Sequence, residues 1–158
     1  MKKTLLFALA LALVSCGDSP KKEEGKGFEM SRTNSQAVTK ETISVPVDLK
    51  NKGIGPISSH SFSTEINTEL SAQGKSVYDS KCTACHMANQ RMIGPALSGV
   101  YDRRSPEWVL NLLLNTNEML KKDPISIALL KEYNNAIMNN QNLSEQEAKA
   151  VAEYLRTL

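Results

Sequence analysis

No strong charge of either sign marks this chain. Its 19 basic residues against 17 acidic ones leave a formal net charge of +2, so the basic excess that nucleic-acid binding needs is missing. Aromatic residues are scarce at 5%, with a single tryptophan, which excludes a large aromatic-rich core. A small domain short of aromatic side chains needs another source of buried apolar surface, and a cofactor can supply it. No apolar run reaches the roughly 20 residues of a permanent transmembrane helix. The three cysteines and two histidines are too few and too scattered for a four-ligand structural zinc site.

What is present begins at the N-terminus. Lys2 and Lys3 precede an uncharged apolar stretch, Thr4 to Val14, the pattern of an export signal. Leu13-Val14-Ser15-Cys16 resembles the lipobox of bacterial lipoproteins. That resemblance implies a signal peptide over residues 1–15 and a Cys16 that becomes the acylated first residue of the mature chain. The protein is then expected to be exported and lipid-anchored to a bacterial membrane, with its folded domain in the periplasm or cell envelope. Two or more acyl chains give stable anchoring without a membrane span. An odd cysteine count ordinarily leaves a stray thiol in an oxidising compartment. With Cys16 lipidated, the two remaining cysteines fall in one motif.

Residues 16–67 show no sustained apolar periodicity and are rich in Ser, Thr, Asn, Gly and Pro. They are expected to form a lipid anchor and a flexible tether, about 40 Å in mean reach. The alternating Ile43-Ser44-Val45-Pro46-Val47 could instead be a short strand packed on the domain. Residues 68–158 are expected to fold as an all-α domain of about four to five helices. Leu70, Gly74, Val77, Tyr78 and Lys81 recur at helical spacing. Ser105-Pro106-Glu107 and Asp123-Pro124 open two further helices with a capping side chain followed by proline. Ser144-Glu145-Gln146-Glu147 is a capping box, leading into Ala148, Val151, Ala152 and Leu155 on one face.

Cys82-Thr83-Ala84-Cys85-His86 bears the chemistry. Two thiols three positions apart can each add across a haem vinyl group, and the histidine that follows is placed to bind iron. A thioredoxin-like redox pair wants a strand leading into a helix, whereas a helical pattern leads in here.

With this motif, the first-helix Gly74 and Tyr78, Gly94-Pro95-Ala96-Leu97 and the closing Leu143-Ser144-Glu145-Gln146-Glu147 with Tyr154-Leu155, the segment from Thr68 to Leu158 resembles the class I (monohaem) cytochromes c. The resemblance implies a cytochrome c fold around one covalent haem c, with a glycine at the crossing of the first and last helices. Cys82 and Cys85 would hold the haem and His86 would be the proximal ligand. Pro95 would offer its carbonyl to that histidine, and Met138, just before the last helix, would be the distal ligand. Where the family often has Met-Pro, this chain has Met138-Asn139. Met119 is the other candidate methionine within the domain, and His60 the other imidazole. Arg103-Arg104 and Lys121-Lys122 could neutralise haem propionates, form a docking patch or be solvated helix ends. Trp108 and Tyr101 could bond a propionate or pack in the core.

The function implied is electron carriage, not enzymatic catalysis. The expected partners are redox proteins, such as a quinol-oxidising complex upstream and a terminal oxidase or nitrous oxide reductase downstream. The rival reading is a haem enzyme or gas sensor with an open or labile distal position.

Overall fold

The computed structural model describes residues 45–158, all within one compact unit. The expected signal peptide, Cys16 and Met30 lie outside the described residues. Among the described residues there are five α-helices and one 3₁₀ turn: α1 (Thr68–Lys81), α2 (Pro106–Leu114), α3 (Thr116–Lys122), α4 (Pro124–Glu132), α5 (Glu145–Leu155) and the turn Val100–Asp102. The fold is all-α. No helix among the described residues is long and apolar enough to cross a membrane.

Local chemistry sets most of the helix starts. Asn67 accepts the Leu70 amide at the head of α1. Ser105 accepts the Trp108 amide at 3.1 Å, one residue before the proline that opens α2. Asp123 accepts the Ser126 amide at 2.8 Å ahead of the proline of α4. At α5 the capping box is closed in both directions, the Glu147 amide to Ser144 Oγ and the Ser144 amide to Glu147 Oε2. Each pairing satisfies amides that a helix start otherwise leaves without a partner.

α1 packs against α5, and Gly74 makes this possible. A Cβ at Gly74 would run into the backbone carbonyl of Ala150, so the two helix backbones meet at a point no other residue type allows. Beside the crossing, Tyr78 and Tyr154 pack with ring centroids 5.2 Å apart. Leu110, Met119, Val151 and Ala152, contributed by α2, α3 and α5, are buried in the same core.

The described part of the expected tether is not loose. Residues 45–67 lie along α2 and its neighbours, held mostly through their own backbone. Asn111, 1% exposed on α2, accepts the Ile57 amide at 2.9 Å and donates to the carbonyls of Lys52 at 2.8 Å and Ile57 at 2.9 Å. Ser105 Oγ donates to Asn51 O at 2.7 Å, and Arg104 Nη1 donates to Pro46 O at 2.8 Å. Ile57 is buried among the core side chains. The expected boundary at residue 67 therefore moves N-terminal of residue 45. A segment bound through its peptide groups needs no apolar periodicity of its own. The strand entertained for Ile43–Val47 reduces, among the described residues, to one isolated parallel bridge between Asp48 and Arg104.

Helix α3 was not expected either. One residue, Asn115, separates it from α2, and only Thr116 and Met119 of its seven residues are buried. So short an element is too brief to show a period.

Replacing Asn111 by Ala removes three hydrogen bonds and leaves buried peptide groups of the N-terminal segment without partners. Chemical denaturation is expected to show a loss of about 3 kcal/mol.

Candidate functional site

α1 ends where the cysteine motif begins. Cys82 caps it, its amide donating to Tyr78 O at 2.8 Å, and the chain then turns so that the Cys85 and His86 amides both donate to Cys82 O, at 3.1 and 2.9 Å. Thr83 Oγ1 donates back to Asp79 O at 2.8 Å. The tight turn sets both thiols and the imidazole on the wall of one cleft. Burial pushes the Cys82 thiol pKa up, against the pull of the Lys81 ammonium and with a push from Cys85. A raised pKa disfavours the thiolate that a thiol redox centre or a zinc site depends on. Among the described residues no group of three or more His, Cys, Asp or Glu side chains is placed to hold a metal ion.

His86 is fixed from behind. Its Nδ1 stands 2.9 Å from Pro95 O; with the proton on Nδ1 the ring donates there and leaves Nε2 with the free lone pair. A Cβ on Gly94 would strike the same imidazole, so Gly94 lets the loop pass close against the ring. The loop is held to the motif by the Gly94 amide, which donates to Cys85 O at 2.9 Å.

The cleft measures about 1430 Å³, its open mouth included. Its walls are largely apolar, with Leu97, Val100, Val109, Leu112 and Leu129 among them. Met138, half-buried, joins the lining from the segment between α4 and α5. That segment turns through left-handed residues at Asn134 (φ 57), Asn135 (φ 59) and Asn142 (φ 50). Asparagine tolerates this conformation better than most side chains.

The other candidates separate clearly. Met119 is fully buried, and its sulfur accepts the Ile54 amide at 2.9 Å; it is a core residue outside the cleft lining. Met87 and Met92 are exposed and also outside it. His60 packs edge-on against Phe62, centroids 5.0 Å apart, away from the cleft. Arg103, which lines the cleft, donates to the carbonyls of Ala96, Ser98 and Gly99. Arg104 is only 5% exposed, so it is not part of a solvated docking patch. Lys121 and Lys122 both pair with Glu118 at a solvated helix end. The Tyr101 hydroxyl donates to Ala152 O at 2.9 Å, and the Trp108 indole donates to Asp123 Oδ1 at 3.0 Å. Both polar tips are therefore taken within the protein, although Trp108 also lines the cleft.

Asp123 escaped the sequence reading as anything more than a helix cap. Its two oxygens accept from Trp108 Nε1, the Ser126 amide and Asn51 Nδ2. Nothing local marks a tryptophan and an aspartate on different helices as partners.

A helical domain that brings two thiols and the imidazole after them to one apolar cleft is built to hold a flat macrocycle by two thioethers and one axial nitrogen. The chain belongs to the cytochrome c family: it matches Cytochrome c over residues 71–158, more than half its length. A cytochrome c from Rhodothermus marinus is 40% identical to it, with a TM-score of 0.63 over 65% of this chain and 88% of that one. An engineered form of that cytochrome, Rma TDE, is 39% identical, with a TM-score of 0.62 over 65% and 89% of the two chains. The same engineered protein bound to a carbene intermediate, 1-ethoxy-1-oxopropan-2-ylidene, matches at 40% identity and a TM-score of 0.60, over 65% and 88%. Among curated proteins none matches. The family binds covalent haem c through the CxxCH motif, which in this chain is Cys82 to His86. The apolar cleft, the paired thiols and the braced imidazole fit that group.

Asp123 also sets an acid limit on the fold. Burial opposes its charge, but hydrogen bonds from Asn51, the Ser126 amide and Trp108, with a glancing contact from the Ser126 hydroxyl, outweigh it and hold the pKa below the usual carboxylate range. A folded-state pKa below the unfolded one adds stability above the unfolded pKa, and that stability is lost as pH falls through the folded value. Denaturation midpoints measured from neutral pH down through about pH 5 and below are expected to fall for the native chain. Asp123→Asn should start lower at neutral pH and decline less steeply.

Proposed function

We propose that this protein is a lipid-anchored monohaem cytochrome c that passes single electrons between respiratory redox proteins, with His86 and Met138 as the axial ligands. The observation that supports this best is the shared cleft: His86 at the end of α1 and Met138 in the distant α4–α5 segment both line it. Haem c supplies a reversible one-electron change at its iron. The chain's own residues determine how readily that change occurs. His86 offers a neutral imidazole whose direction and basicity are set by the Pro95 carbonyl. Met138 offers a neutral, soft thioether, which favours the reduced state over a second imidazole. With both side chains ligating, a substrate has no coordination position to enter, and the change of charge requires little movement. The apolar walls exclude water from the centre.

Lipidation at Cys16 would hold the domain at a membrane, outside the cytoplasm, and raise its effective concentration near partners on the same surface. A quinol-oxidising complex as donor and a terminal oxidase or nitrous oxide reductase as acceptor suit such a carrier.

A second reading, a haem enzyme or gas sensor with an open or labile distal position, draws on one observation. The engineered Rhodothermus marinus relative is described with a carbene intermediate bound, and here Met138 sits in a segment where asparagine follows in place of proline.

Spectra of the purified protein and of Met138→Ala separate the two. The native ferric form should show the long-wavelength charge-transfer band of a thioether–iron bond and resist carbon monoxide when reduced. Met138→Ala should lose the band, bind carbon monoxide and drop in reduction potential. A native protein that already lacks the band and binds the gas would favour the second reading.

A further inference from the structure

Ser126, the third residue of α4, is 1% exposed and lines the cleft. Its amide is taken by the Asp123 cap. Its hydroxyl has no hydrogen-bond partner, the sole buried side-chain polar atom so placed among the described residues. Native proteins rarely leave a buried hydroxyl without one. Asp123 does not serve: its carboxylate already accepts from Trp108, Asn51 and the Ser126 amide, and the hydroxyl grazes it without reaching hydrogen-bond geometry.

The surroundings specify the missing partner. Leu112, Leu129 and Leu130 line the cleft with Ser126 and offer no acceptor. Arg103 and Arg104 line it as well, and two guanidinium groups against the one Asp123 carboxylate leave the region with a positive charge. Ser126 stands in the first turn of α4, whose helix dipole also favours an anion. The partner is therefore an acceptor, negatively charged, belonging to whatever fills the cleft. A haem carries such oxygens only on its propionate carboxylates.

We infer that Ser126 Oγ donates a hydrogen bond to a propionate of the haem, an inference that rests on the haem assignment of the cleft. The bond draws negative charge away from the centre of the macrocycle. Its loss returns that charge, favours the ferric state and lowers the reduction potential.

Ser126→Ala deletes the donor and leaves the packing volume nearly unchanged; Ser126→Thr keeps a hydroxyl. Resonance Raman spectra of the holoproteins report the propionate bending mode directly. Ser126→Ala is expected to retain covalent haem on a stained denaturing gel, yet to shift that mode, lower the potential and lower the thermal midpoint. Ser126→Thr should hold mode and potential at native values. Loss of haem from the alanine variant alone would also support the bond. An unmoved mode with an unchanged potential would overturn it. So would a rise in thermal midpoint, the result of removing a hydroxyl with no partner. A native protein without haem stain would instead overturn the haem assignment itself.

Discussion

At Gly74 the backbone of α1 meets the Ala150 carbonyl of α5 with no room for a methyl group between them, and the cleft inherits its geometry from that approach. α1 ends directly in the cysteine motif, so the position of the crossing sets where Cys82, Cys85 and His86 begin. α5 supplies Val151 and Leu155 to the cleft lining. One helix therefore presents the covalent attachment points while the other provides part of the apolar wall. A close backbone crossing is a rigid joint because packed interiors do not deform continuously.

A second layer of order is polar and lies behind the wall. Asn51, Trp108 and Asp123 form a connected set, and Ser126 stands at its edge with a hydroxyl to spare. Buried polar groups of this kind are stabilising only when each has a partner. Here the protein alone satisfies every listed side chain but one. Within the apolar cleft, that leaves a single directional contact available to a group arriving from outside the chain.

The sequence was legible where signals are local. Caps at Asn67, Ser105, Asp123 and Ser144 mark four of the five helices, and in each case the capping side chain accepts an amide of the first turn. The cysteine motif is equally local. The segment 45–67 was misread because what holds it is written elsewhere: its peptide groups bind Asn111, Ser105 and Arg104. Its polar composition is that of a tether, and only the burial of Asn111 on α2 reveals the contrary. α3 was missed for want of length. Met119 and Met138 could be told apart in sequence only through family resemblance; in the structure, one is sunk in the core and the other borders the cleft.

The N-terminal segment has a mechanical consequence. Chain order places its bonds at Pro46, Asp48, Asn51 and Ile57 ahead of the first residue of α1. Tension applied from the N-terminal side reaches these fastenings, which clamp onto Arg104, Ser105 and Asn111, before it can reach α1. The segment thus acts as strain relief: a tug on the leash is absorbed at α2, and the turn bearing the two thiols is spared the force.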